Sequence, residues 1–136
     1  MTFYTIAPGQ VRSDLVIPAF YEGYPGVVHG GIIATILDET GSRAFMDDPT
    51  RFMVTAQLNV RYRKPVPSVS PLVIFGRAQD QRGRVSYAHS EIRDMKDIVL
   101  AEAELVLVDI PESQLEKWDP KALGWKVYPD LDEEAA

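Results

Sequence analysis

Two adjacent acids, Asp38 and Glu39, interrupt an apolar run within the stretch from Gly23 to Asp48, GYPGVVHGGIIATILDETGSRAFMDD. An ionised carboxylate in apolar surroundings is costly unless it is paired or changes its protonation state. An acid kept there is a candidate for chemistry. Placed on a helix at about 100° per residue, Ile33, Ile36, Leu37, Thr40 and Ala44 share one broad apolar face, and Ala34, Asp38, Gly41, Ser42 and Phe45 fall on the other side. Asp38 then stands among small residues that let a ligand or another backbone come close. Glu39 points elsewhere and has Arg43 four residues on, the spacing of a surface ion pair. Asp38 is therefore assigned to chemistry and Glu39 to structure.

The tripeptide His29-Gly30-Gly31 at the head of this run adds an electrophilic element. Backbone N–H groups in the first turn of a helix lack intrahelical partners and carry the positive end of its dipole, so they can polarise a carbonyl or hold an oxyanion. A glycine there lets a substrate reach the backbone. The carboxylate of Asp38 follows His29 by nine residues, about two and a half helical turns. A solvated histidine beside a Gly-rich turn fits the same spacing, so spacing alone leaves both readings open.

The elements that must position these groups follow from periodicity. Residues 9–20 mix Val11, Leu15, Val16, Ile17 and Phe20 with polar positions and read as an irregular first strand, and YEGYPG breaks regular structure before the helix. Asp47, Asp48 and Pro49 signal its stop. From Phe52 to Arg63 the period becomes two, with Phe52, Val54, Ala56, Leu58, Val60 and Tyr62 on one face and Met53, Thr55, Gln57, Asn59, Arg61 and Arg63 on the other. Pro65 and Pro67 end that strand. Further strands are expected at Leu72–Asp80, Val85–Arg93 and Ile98–Ile110, with a turn at Gly83 between the first two. Short connections between these strands imply an antiparallel sheet carrying one principal helix, an α+β fold. Beyond Pro111 only a short helical segment, ESQLEKW, and a frayed acidic tail are expected. The whole chain, 1–136, reads as a single domain with its core at about 11–110 and a C-terminal tail at 111–136.

Composition sets limits. The chain has 136 residues, of which 46% are apolar and 25% charged, ordinary values for a soluble globular domain. A net charge of −6 argues against nucleic acid as a main partner. With no cysteine there is neither a disulfide nor a thiolate nucleophile or metal ligand, which suits the cytoplasm. No run of about 18 apolar residues and no basic, apolar leader appears, so neither export nor a membrane partner is expected.

The segment GVVHGGIIATILDE, followed by the strand TAQLNVRYRKPV, resembles the acyl-CoA thioesterases of the phenylacetic-acid-degradation type, which have the hotdog fold. The resemblance runs from about Val11 to Ile110. It implies a sheet wrapped around the central helix and assigns roles residue by residue. Asp38 falls on the carboxylate that activates water or attacks the thioester carbonyl. Gly30 falls on the amide that polarises that carbonyl, His29 on the motif histidine lining the site, and Thr55 on a strand hydroxyl that positions water or substrate. Some relatives carry an amide residue six positions before the histidine; this chain has Gly23, so the electrophilic half rests on the Gly30 amide. The resemblance also implies a homodimer or dimer of dimers in which sheets join edge to edge and each site takes residues from both protomers.

Thioester hydrolysis requires a base or nucleophile, a positioned water and a donor for the oxyanion. Asp38, Thr55 and the Gly30 N–H can supply one each, with no metal and no redox cofactor; coenzyme A enters as part of the substrate. Gly31, Asn59, Arg61, Arg63, Lys64, Arg82 and Arg84 are candidates for binding it, since its phosphates need cations near the surface. Phe45, Met46 and Met53 are candidates for lining the acyl pocket, whereas His89, alternating with Val85 and Tyr87, reads as structural. Two other functions share the fold expectation: an acyl-CoA binding or sensing module without hydrolysis, and a hotdog hydratase or dehydratase.

Overall fold

The computed structural model describes residues 1–45, 47–48 and 51–117. Its backbone is a six-stranded antiparallel sheet with one long helix, α1 (Gly30–Arg43), lying across one face. The strands are β1 (Tyr4–Ala7), β2 (Gln10–Val16), β5 (Met53–Tyr62), β6 (Pro71–Arg82), β7 (Val85–Arg93) and β8 (Val99–Asp109), in the spatial order β1-β2-β6-β7-β8-β5. A separate two-stranded hairpin, β3 (Glu22–Tyr24) and β4 (Val27–Val28), leads into α1, and a single turn, α2 (Glu112–Leu115), follows β8. The four strands after the helix match expectation to within two residues at each end. No helix among the described residues is long and apolar enough to cross a membrane.

Two segments differ from the sequence reading. The irregular first strand is the second arm of a hairpin, with Tyr4–Ala7 pairing onto Gln10–Val16 at the outer edge of the sheet. Tyr4, Thr5 and Ile6 are all exposed, so no buried face imposes a period on that strand. The YEGYPG segment is itself a hairpin: Gly26, at φ 80°, follows Pro25 as a type II turn requires. The helix ends at Arg43, before the acids expected to stop it, and Pro49 and Met46 lie outside the described residues. So does the tail from Trp118 onward; the described part of ESQLEKW contains α2.

The helix buries the face its periodicity marks. Ile33, Ile36 and Leu37 form one core cluster with Leu72, Ile74, Ile92, Leu105 and Leu107 of the sheet, and Thr40 and Ala44 are buried as well. Full burial of a side chain such as Leu37 is worth about 2 kcal/mol. Gly41, which the wheel places on the side of Asp38, is buried too, because α1 lies so close to β8 that a Cβ there would stand 2.6 Å from Leu105 Cδ1. On β6, a Cβ at Gly76 would stand 2.5 Å from the Thr40 carbonyl oxygen. Facing residues of β7 are also small: Ser86, Ala88 and Ser90 are fully buried, and the Ser90 hydroxyl donates to the Leu37 carbonyl at 2.7 Å. The helix turn that carries Asp38 is thereby fixed against the sheet.

Candidate active site

The head of α1 is organised by His29. It is the N-cap, with φ −59° and ψ 136°, and its Nδ1 accepts the Gly31 N–H at 2.9 Å. Acceptance at Nδ1 assigns the proton of a neutral ring to Nε2. The Ile32 and Ile33 N–H groups both donate to the His29 carbonyl, at 3.0 and 3.1 Å. Of the four amides that open the helix, only that of Gly30 has no acceptor among the described residues. The one amide left for a ligand is therefore the one assigned to carbonyl polarisation. Gly31, assigned to coenzyme A, has its own N–H committed to His29.

Gly23 lies against this histidine: a Cβ at Gly23 would stand 3.4 Å from His29 Cα and 3.6 Å from His29 Cδ2. A side chain at position 23 would thus enter the same space. A cleft of about 510 Å³ opens here, lined by Gly23, Tyr24, Val27, Val28, His29, Gly30, Ile33 and Tyr62 and by Arg63 to Val66. Its volume lies within the range of small-molecule sites, and its walls are largely apolar with the helix N-terminus exposed in them.

The acid stands further along α1. Asp38 is half-buried, and the Thr55 hydroxyl donates to its Oδ1 at 2.7 Å. Strict alternation puts Thr55 on the opposite face of β5 from Leu58, Val60 and Tyr62, yet all four face the helix. The cause is a β-bulge at Ala56: Thr55 opposes Leu107 and Gln57 opposes Val106, so one residue is left unpaired and the facing pattern changes phase. Met53 and Thr55 face α1 before the bulge, and Leu58, Val60 and Tyr62 face it afterwards.

These two halves do not meet within one chain. Eight residues of helix separate Gly30 from Asp38, about 12 Å at 1.5 Å per residue. On β5, Tyr62 stands by Gly30, its hydroxyl donating to the Gly30 carbonyl at 2.7 Å, while Thr55 stands by Asp38, toward the other end of the strand. A thioester carbonyl and the group attacking it must lie about 3 Å apart. The strand between the halves is an edge of the sheet, paired only with β8, and residues 54–57 along it are exposed.

The cations assigned to coenzyme A are not brought together. Arg63 and Lys64 line the cleft, but Arg63 is bound to Glu102 at 2.8 Å. The hydrogen bond from Arg63 holds the Glu102 carboxyl below its ordinary value of 4.5, against the opposing effect of desolvation, and the same bond holds Arg63 more firmly protonated. Asn59 and Arg61 face away from the helix, opposite Glu104 and Glu102 on the outer side of the sheet. Arg82 pairs with Asp80, and Arg84 donates to the Asp109 carbonyl, both at 2.9 Å. That turn adjoins the other end of β8: Arg84 lies beside Asp109 and Arg63 beside Leu100, about 30 Å apart at 3.3 Å per residue. Phe45 and Met53 pack as partly buried members of the core.

His89, read as structural, has its Nδ1 2.7 Å from Glu104 Oε1 on the outer face. With Glu91 and Glu102 it forms a group whose potential ligand atoms lie within 4.8 Å of one another. Arg93 and Arg63 already pair with those two carboxylates, so the group is part of an ion-pair network. Glu39 and Arg43 pair at 2.7 Å, as their spacing implies. Sequence reasoning passed over Tyr62. The signal was there in part, an aromatic with a polar tip continuing the Leu58, Val60 series just before Pro65.

Comparison with known proteins bears on this geometry. Residues 25–101 match the family model of the thioesterase superfamily. The mouse acyl-coenzyme A thioesterase THEM4 is 34% identical over 96 residues, covering 69% of this chain and 41% of the relative. The human acyl-coenzyme A thioesterase THEM5 is 32% identical over 108 residues, covering 76% and 40%. The chain thus spans about two fifths of the length of these curated relatives. Among solved structures, a thioesterase superfamily protein superposes with a TM-score of 0.73 at 31% identity, covering 78% of this chain and 54% of that one. A thioesterase from Streptococcus pneumoniae TIGR4, solved with coenzyme A, gives 0.73 at 18% identity, covering 80% and 84%, and supports the fold alone.

Proposed function

The chain belongs to the thioesterase superfamily, and on that premise we propose that it hydrolyses an acyl-CoA thioester to a free acid and coenzyme A, as a thioesterase of the phenylacetic-acid-degradation type. The observation that carries the proposal is the Thr55 hydroxyl bonded to Asp38 at 2.7 Å. A carboxylate held by a hydroxyl at a half-buried position suits proton abstraction from water, or direct attack, and a module that only binds acyl-CoA has no use for it. In the water route, Asp38 takes a proton from water as oxygen bonds to the carbonyl carbon. The Gly30 N–H holds the oxyanion, and collapse breaks the C–S bond, the thiolate leaving with the proton that Asp38 returns. The reaction requires no metal and no redox cofactor. A cytoplasmic setting completes the reading, supported by the absence of cysteine.

The reading includes a homodimer, alone or within a dimer of dimers. It is supported by the separation of about 12 Å between Gly30 and Asp38 along one helix, which leaves a single chain without a complete site. Antiparallel pairing of two β5 edges about a two-fold axis would set the Thr55 end of one strand beside the Tyr62 end of the other. It would also cover an otherwise open edge.

Thiol release from a panel of acyl-CoA thioesters, with enoyl-CoA hydration assayed beside it, tests the reaction. The expected result is thiol release by the wild type and a loss of about 10²-fold or more in Asp38→Asn, with the fold unchanged. Tight acyl-CoA binding without thiol release, hydration in its place, or full activity in Asp38→Asn refutes it.

A further inference from the structure

We propose that Tyr62 is a positioning residue that, together with His29, clamps the Gly30–Gly31 peptide and so fixes the direction of the Gly30 N–H; this rests on the carbonyl-binding role given to that amide above. The problem it addresses lies in the sequence. Two successive glycines have no Cβ to restrict φ and ψ, so local sterics leave the amide direction at the head of α1 loosely determined. An oxyanion donor works only when its direction is set in advance.

The geometry supplies the restraint. The Tyr62 hydroxyl donates to the Gly30 carbonyl oxygen at 2.7 Å, and the Gly31 N–H donates to His29 Nδ1 at 2.9 Å. That oxygen and that N–H belong to the same peptide unit, which is planar, so two bonds from opposite sides fix the plane. The clamped plane begins at the Gly30 α-carbon, and its orientation sets the helical ψ of Gly30. The preceding plane carries the free N–H and is held at its oxygen by the amides of Ile32 and Ile33. Every polar group around Gly30 is thus engaged except the one N–H offered to substrate.

Tyr62 is itself well anchored. It is the last residue of β5, paired with the fully buried Ala101, and the next two amides, of Arg63 and Lys64, both donate to the Leu100 carbonyl. Its hydroxyl lies 3.4 Å from where a Cβ on Gly30 would stand, so the phenol closes over the glycine as well as bonding to it. About half of the residue is exposed.

Tyr62→Phe removes the hydroxyl and keeps the ring. The expected result is a fall in kcat of about five- to tenfold, the loss of one neutral hydrogen bond, with KM for the same acyl-CoA within about twofold. In parallel, amide–water exchange at Gly31, measured by NMR on the uncomplexed protein, accelerates by a comparable factor. A kcat within twofold of wild type, a loss residing only in KM, or unchanged Gly31 exchange overturns the clamp. The exchange measurement needs no turnover, so it decides the clamp even if the wild type releases no thiol, a result that would count against the thioesterase reading instead.

Discussion

Gly30→Pro separates the chemistry of the helix entrance from its structure. Proline lacks the N–H assigned to the carbonyl, and the first position of a helix is where it is best tolerated. The chain is already shaped for it. His29 has ψ 136°, the extended conformation that a residue before proline adopts, and the Gly30 N–H has no acceptor among the described residues to lose. A Cβ at this position meets Tyr62 only at 3.4 Å, ordinary contact. Replacing glycine by proline at a compatible position stabilises by about 0.4–1 kcal/mol through the unfolded chain, so the melting temperature should hold or rise by about 2–4 °C. Loss of one oxyanion donor should lower kcat by about 10²- to 10³-fold. Gly30→Ala is the control, since it adds the Cβ but keeps the N–H, and it should retain activity within about tenfold of wild type. Thiol release and thermal melting of the three proteins decide the matter. A Gly30→Pro enzyme within tenfold of wild type, or one as impaired as the alanine control, would refute the assignment of this amide.

Two further outcomes follow from packing and charge. Gly76→Ala should destabilise by about 1–3 kcal/mol and lower activity, because the obstacle at 2.5 Å is the Thr40 carbonyl of the helix that carries Asp38. Gly41→Ala should cost less, since the atoms in its way belong to the movable end of Leu105; denaturant midpoints giving the reverse order would contradict the packing described. Glu102 has a folded pKa held down by Arg63, so it contributes stability that is present above its ordinary value of 4.5 and lost as pH falls through the folded value. Denaturant midpoints at neutral pH and near pH 4 should therefore differ less in Glu102→Gln than in wild type, and equal differences would remove Glu102 from the acid sensitivity of the fold.

The sequence made the helix legible because one period governs it and one face is buried: Ile33, Ile36, Leu37, Thr40 and Ala44 all pack inward. The distinction between Asp38 and Glu39 was legible for the same reason, one acid meeting Thr55 and the other Arg43. Thr55 was assigned to the site by resemblance while its alternation pointed it away from the helix. Only the bulge at Ala56 reconciles the two, and a bulge depends on pairing with β8, which lies some fifty residues away in sequence. The placement of the cations was hidden for a similar reason. That Arg63 is bound to Glu102 and Arg82 to Asp80 is decided by register and local turn geometry, to which a list of basic residues is blind. Gly41 was assigned to the far side although it stands only about 40° around the helix from Leu37, and α1 settles deeply enough on the sheet to bury that border position against Leu105.

The bulge has a consequence for the site as a whole. Without it, the run from Met53 to Tyr62 would present either Thr55 or the Leu58, Val60, Tyr62 series to the helix, because one extra residue is what brings both sets to the same face. Leu58 and Val60 pack on the core, Thr55 holds the acid, and Tyr62 holds the Gly30 carbonyl. A single strand thus serves both halves of the proposed chemistry, one near each end, and it is one of the two edge strands of the sheet. Any partner that adds to this edge in antiparallel fashion encounters the acid end and the amide end in opposite order. A second copy of the chain, related by two-fold symmetry, is the partner for which that reversal would bring an acid from one protomer toward an amide from the other at both ends of the joined strands.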